Sequence, residues 1–278
     1  MNKTWNVRGR LVDLSSPLVM GVINLTPDSF YEGSRHNEAS DALRQAEEMV
    51  TEGADIIDVG GYSSRPGAAD ISEEEELQRT IPVIQAITKR FPKLLVSVDT
   101  FRSQVAARAL DAGANILNDI SGGSLNNDAM PALCASHQVP YIAMHMRGTP
   151  QTMNGMTQYN DLLKDILTYF QARLVKFSQM GVRDVVVDPG FGFAKTVDQN
   201  FTLLRNLSVL KILGRPVLTG LSRKSMIWRT LDTSPEESLN GTTALNMAAL
   251  MNGASVLRVH DVKEARECVK LWARMSES

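Results

Sequence analysis

The side chains with chemical potential in this 278-residue chain stand at the ends of short apolar runs. Asn24 closes Leu18-Val19-Met20-Gly21-Val22-Ile23, and Asp58 closes Ala54-Asp55-Ile56-Ile57. Asp99, then Asn118 with Asp119, His145 and Asp188 close the next four runs. Ser222 with Lys224 follows the seventh run, and Arg258 with His260 falls at the eighth. Each alone fits a turn or a helix cap, because Asn and Asp favour both. All eight ends together, each after several apolar residues, predict a polar pocket on one rim. Asp99, Asn118, Asp188 and Lys224 offer the donors and acceptors that read the edge of a flat heterocycle bearing amino and carbonyl groups. Arg258 and His260 suit an anion near the start of the last helix, where backbone N–H groups are free.

The elements that must position these groups follow from periodicity. The apolar runs are too short for helices and suit strands buried on both faces. Between them, 3.6-residue patterns predict helices over residues 39–52, 102–112, 127–137, 159–180, 197–207 and 262–275, with an interrupted helical region over 222–252. Ser72-Glu73-Glu74-Glu75 resembles a capping box and starts a further helix, whose acidic first turn complements the helix dipole. Pro82 inside that helix predicts a kink or a displaced start. Gly53, Gly113, Gly181 and Gly253 stop helices just before strands two, four, six and eight. Eight strand-then-helix units without a linker predict an α/β fold, a single-domain (β/α)8 TIM barrel spanning residues 1–278 with its core at about 18–275. A doubly wound open sheet is the alternative. The stretch from Trp5 to Asp13 alternates weakly around Gly9, as a short N-terminal hairpin would. In a barrel of this kind chemistry sits at the C-terminal ends of the strands, where these residues fall.

Composition narrows the partners. A net charge of −2 supplies no basic field for nucleic acid or an anionic membrane, so any anion must be held locally. The N-terminus has positive charge without an apolar core, unlike a signal peptide, and no run approaches the ~20 apolar residues of a membrane span. A cytoplasmic protein is expected, with Cys134 and Cys268 reduced and buried. The four histidines, His36, His137, His145 and His260, lack zinc-ligand spacing. Gly220-Leu221-Ser222-Arg223-Lys224-Ser225 lacks the second glycine of a P-loop, and Gly190-Phe191-Gly192 is not a full dinucleotide fingerprint.

Taken together, several motifs resemble those of bacterial dihydropteroate synthases. They are Met20-Gly21-Val22-Ile23-Asn24-Leu25-Thr26-Pro27-Asp28-Ser29-Phe30, Asp58-Val59-Gly60-Gly61 with Ser64-Arg65-Pro66-Gly67, Val98-Asp99-Thr100, and Asn118-Asp119-Ile120. Met144-His145-Met146, Asp188-Pro189-Gly190-Phe191-Gly192-Phe193, Ser222-Arg223-Lys224-Ser225 and Arg258-Val259-His260-Asp261 complete the set. The resemblance implies a transferase that joins 4-aminobenzoate to (7,8-dihydropterin-6-yl)methyl diphosphate with Mg²⁺, and a homodimer formed through late barrel helices. Carried over by position, Asp99, Asn118, Asp188 and Lys224 would hold the pterin, with Met144 and Ile120 lining its faces. Asn24 would meet Mg²⁺, and Arg258, Val259 and His260 would lie at the diphosphate. Ser64, Arg65, Phe30, Phe193, Ser222 and Lys224 would form the aminobenzoate mouth, and loops 25–35 and 62–70 would close over the substrates. Asp58, Asp99, Lys224, Arg258 and His260 are the candidate catalytic groups.

Three positions depart from the family's usual pattern: Tyr62 replaces an acidic residue, Ser64 a threonine and Ala194 a glycine. Two other readings stay open on the residues alone. One is a methyltetrahydrofolate–corrinoid methyltransferase on the same barrel; the other is a non-catalytic pterin or anion binder.

Overall fold

The structure is a computed structural model that describes residues 4–25, 35–63, 70–125 and 127–276, with 35–38 as backbone only. Eight parallel strands form one sheet: β3 (Leu18–Asn24), β4 (Ile56–Gly60), β5 (Leu95–Asp99), β6 (Ile116–Asp119), β7 (Tyr141–Met144), β8 (Val185–Asp188), β9 (Leu218–Thr219) and β10 (Val256–Val259). They pair in chain order from β3 to β8, and β10 lies between β3 and β9. A parallel bridge between Val187 and Val217 closes the sheet on itself. The expected barrel is therefore present, and the open-sheet alternative is not.

Around the barrel run α1 (Arg35–Glu52), α2 (Glu73–Arg90), α3 (Ser103–Asp111), α4 (Ala129–His137), α5 (Leu162–Gln179), α6 (Val197–Arg205), α7 (Ser225–Trp228), α8 (Leu239–Met251) and α9 (Val262–Ser276). The α2 helix is continuous through Pro82 and starts at Ser72, whose hydroxyl accepts from Glu75 N–H at 3.1 Å. The expected displaced start does not occur. The interrupted stretch resolves into α7 and α8, and a 3₁₀ segment, Leu207–Leu213, follows α6 where no element was expected. Gly53, Gly113, Gly181 and Gly253 all adopt positive φ, as helix-closing glycines do.

The strand runs look uniformly apolar because both faces are buried, yet the two faces do different work. Met20, Ile56, Leu95, Ile116, Ile142, Val186, Leu218 and Val256 pack together inside the barrel. Val19, Ile57, Val96, Leu117, Tyr141, Val185 and Leu257, one residue along in each case, belong to the layer under the helices. Two-residue alternation then carries the inward row upward to Asn24, Asp58, Asp99, Asn118, Met144, Asp188 and Arg258.

The other end is sealed. β1 (Thr4–Val7) and β2 (Arg10–Asp13) form the expected antiparallel hairpin. Trp5 and Val7 are buried against the inward apolar row. The hairpin is tied to residues that precede barrel strands: Asn6 N–H donates to Asp184 at 2.8 Å, Arg8 N–H to Gln138 O at 2.9 Å, and the Arg8 side chain to Ala114 O at 3.0 Å.

Candidate active site

At the open rim the guanidinium of Arg258 bridges two carboxylates. Its Nε donates to Asp58 at 2.7 Å and a terminal nitrogen to Asp99 at 2.6 Å. Asn118 adds a bond to the same Asp58 oxygen at 3.1 Å. These four side chains come from β10, β4, β5 and β6, and they meet because each sits two residues above an inward apolar or hydroxyl position. Burial lowers the pKa of Arg258, but Asp58 and Asp99 outweigh it and hold the guanidinium above its ordinary value. Burial pushes Asp99 up to about 7, against the pull of Arg258. The second Asp58 oxygen is buried without a partner among the described residues.

Across the rim, burial raises Asp188, opposed by the nearby Lys224 ammonium and by Gly190 N–H, which donates to its carboxylate at 2.8 Å. Burial lowers Lys224 to about 8, with Asp188 acting the other way. The Lys224 ammonium donates to the Phe191 carbonyl and lies over the Phe193 ring, 4.9 Å from its centre. Gly190 is obligatory in this turn. Its φ is +73°, and a Cβ there would stand 2.1 Å from the His145 carbonyl oxygen.

Ser222 and His260 lie side by side, their Oγ and Nδ1 3.0 Å apart, and His260 N–H donates to the Ser222 hydroxyl at 3.2 Å. Next to them Arg223 grips Asp261 with bonds of 3.0 and 2.6 Å. The loops after β9 and β10 are thereby locked together, which brings Lys224 toward Arg258.

Asn24 and Asp99 each place an oxygen 3.8 Å from the point that a Cβ on Gly60 would occupy. The bare glycine thus leaves a small cradle faced by a carboxamide and a carboxylate oxygen. Mg²⁺ prefers such hard donors and takes only one or two from a protein when substrate phosphates and water supply the rest, so the residues fit the ion.

Several expected rim residues have other placements. Asp119 turns outward: its oxygens accept from Ser121 N–H at 2.7 Å, Gly123 N–H at 3.0 Å and Tyr141 OH at 2.7 Å. His145 is buried beside Tyr169 and Phe170 in the helix-facing layer and is no rim group. Val259 points its side chain into that same layer, so only its backbone can face the pocket. Met144 and Ile120 are buried at the ends of β7 and β6. Ser64, Arg65 and Phe30 lie outside the described residues, as does most of the two loops expected to close.

Beside those loops, Tyr62 packs edge-on against Phe101 at 5.1 Å, accepts a bond from Gln151 at 2.7 Å, and lies under Arg102 at 5.3 Å. Sequence reasoning did not find Arg102 or Lys195. Lys195 is buried and Arg102 half-buried through tertiary contacts, which no local pattern announces.

A closed parallel barrel with such a rim is the architecture of small-molecule enzymes of the TIM-barrel kind. The comparisons with known proteins specify it: residues 20–260 match the model of the pterin binding enzyme family. The dihydropteroate synthase of Synechocystis sp. is 46% identical over 256 residues, 91% of this chain and 88% of that protein. The crystal structure of Yersinia pestis dihydropteroate synthase in a sulfonamide drug complex is 40% identical, with a TM-score of 0.91 over 99% of this chain and 100% of that one. The Xanthomonas albilineans enzyme with 4-aminobenzoic acid is 35% identical, with a TM-score of 0.92 over the full length of both. The chain belongs to the pterin binding enzymes and, within them, to the dihydropteroate synthases, which are transferases.

Proposed function

We propose that this rim condenses (7,8-dihydropterin-6-yl)methyl diphosphate with 4-aminobenzoate by a dissociative displacement. The observation that carries the reading is the Arg258 fork across Asp58 and Asp99, facing Asp188 and Lys224. Asp99, Asn118, Asp188 and Lys224 hold the pterin edge, and Met144 and Ile120 line its faces. Arg258 and the Ser222–His260 pair receive the diphosphate, and Phe193 with Ser222 borders the aminobenzoate mouth together with Ser64 and Arg65. As diphosphate departs, Arg258 stabilises the charge that leaves, while Asp58 and Asp99 favour the cation that remains on the pterin methylene. An arylamine is uncharged at neutral pH and attacks without a dedicated base. Once the C–N bond has formed on the carbon that diphosphate left, the new ammonium loses its proton to solvent, so positioning supplies most of the rate. Mg²⁺, held by Asn24 with Asp99 beside it, would act as a Lewis acid on the diphosphate oxygens.

Pterin diphosphate labelled with ¹⁸O at the bridging position, incubated with enzyme and Mg²⁺ but no aminobenzoate, tests the dissociative order. Scrambling of label into non-bridging positions supports it; complete retention at a competent enzyme contradicts it. The methyltransferase reading has no use for a paired anion site at Ser222, His260 and Arg258, and it is set aside.

The chain is also proposed to be a cytoplasmic homodimer. Met251 on α8 and Leu271 and Met275 on α9 are exposed apolar side chains on late helices, where a second copy would cover them. Cys134 and Cys268 are free and buried, as suits a reducing compartment. Light scattering on the purified chain and on Leu271→Arg is the check: a dimer that the substitution splits supports this reading, and a monomeric wild type rules it out.

A further inference from the structure

Lys195 is a buried cation with an unusual set of neighbours. Its ammonium donates to Gly190 O at 3.0 Å, to Phe193 O at 3.0 Å and lies 3.2 Å from His145 Nδ1. All three of its donors are thus used, two on carbonyls of one turn and one on the imidazole at the end of the neighbouring strand. None of these partners is a carboxylate. A buried ammonium hydrogen-bonded only to neutral acceptors is costly, and burial lowers Lys195 to about 7 against the pull of the nearby Asp188 carboxylate. Burial likewise lowers His145 to about 3, with Lys195 and Arg147 adding to the effect. The imidazole is therefore neutral, and Nδ1 is the acceptor that an ammonium requires. Packing alone would be served by a methionine, without the cost.

The turn that Lys195 closes carries the parts that hold the pterin-reading pair. Gly190 N–H holds Asp188, the Phe191 carbonyl holds Lys224, and the Phe193 ring lies under the same ammonium. From outside, Tyr159 OH donates to Ala194 O at 3.0 Å, and Arg147 stacks 3.8 Å above Tyr159. Asn200 accepts from Gly192 N–H at 2.8 Å. Lys195 ties the inside of the turn to the side chain at the end of β7 through its contact with His145 Nδ1.

We propose that Lys195 is a positioning residue for pterin recognition: it pins the 190–193 turn to His145 so that Phe191 and Phe193 hold Lys224 against Asp188. The inference rests on the pterin reading of the site given above. Affinity of the full chain for (7,8-dihydropterin-6-yl)methyl diphosphate is measured by calorimetry for wild type, K195M, K195Q, D188N and the two double variants, with a thermal melt of each.

Displacing Lys224 by a fraction of an ångström is expected to weaken pterin binding about 10-fold in K195M, and about 3-fold in K195Q, which keeps two donors. In the D188N background the same Lys195 substitutions are expected to add less than about twofold, because the partner through which they act is already lost. Equal penalties in both backgrounds would show a general structural role and overturn the proposal, as would wild-type affinity in K195M. If K195M does not fold, the K195Q cycle decides by the same criterion. A wild type that does not bind the pterin diphosphate would instead refute the functional reading itself.

Discussion

Arg258 is the residue on which the rim depends, since it neutralises two carboxylates at once. Replacing it by alanine leaves Asp58, which is fully buried, without a counter-charge. Removing one partner of a buried pair costs about 3 kcal/mol, and solvent at the exposed edge of Arg258 brings the figure toward the low end. Urea unfolding of Arg258→Ala should show that loss alongside collapse of turnover; an unaltered midpoint would mean that the carboxylates find another cation. His145 makes a different prediction. Its folded pKa, about 3, lies below the ordinary 6.5, so the unfolded chain takes up the proton first as pH falls. The stability it contributes is complete above pH 6.5 and drains as pH drops toward 3, by up to about 1.4 kcal/mol per pH unit. Denaturant titrations across that window should give His145→Gln a shallower acid slope than the wild type. Parallel slopes would exclude a neutral buried imidazole.

Among the elements, the strands and their polar ends were readable because burial on both faces leaves a plain apolar run that stops at the rim. Which end residue faces inward was also in the pattern, through two-residue alternation. Asn118 and Asp119 are neighbours and cannot share a face, and His145 follows the inward Met144, so both Asp119 and His145 had to turn away. The seventh strand was readable as a position and not as a length: ladder pairing covers only Leu218 and Thr219, with a single bridge at Val217. Lys195 and Arg102 carried no signal, since a lone cation in a loop or at a helix start reads as solvated until tertiary contacts cover it. Two glycines separate backbone needs from site needs. Gly190→Ala should abolish pterin binding, because its Cβ would collide with the His145 carbonyl and displace the whole turn. Gly181→Ala, at φ +85° with no atom nearer than Ala135 Cβ at 3.9 Å, should lose only about 1 kcal/mol from left-handed strain. Equal effects on pterin affinity from the two would argue against the turn's role.

For the whole molecule, stability and chemistry occupy opposite ends of one barrel. The hairpin seals the N-terminal face through Trp5, which is 1% exposed, while the reacting groups occupy the C-terminal rim. Trp5→Ala should remove about 3 kcal/mol or more of stability and leave kcat/KM at 25 °C within about twofold, provided the variant is assayed below its melting point. A specific loss of turnover in well-folded Trp5→Ala would mean that the two ends are coupled. Every role proposed for the rim requires that it join its two substrates. The purified chain, given (7,8-dihydropterin-6-yl)methyl diphosphate, 4-aminobenzoate and Mg²⁺, should yield 7,8-dihydropteroate and diphosphate in equal amounts, resolved by liquid chromatography. Omitting either organic substrate should abolish the dihydropteroate. No dihydropteroate from a folded chain with both substrates and metal present would contradict the account.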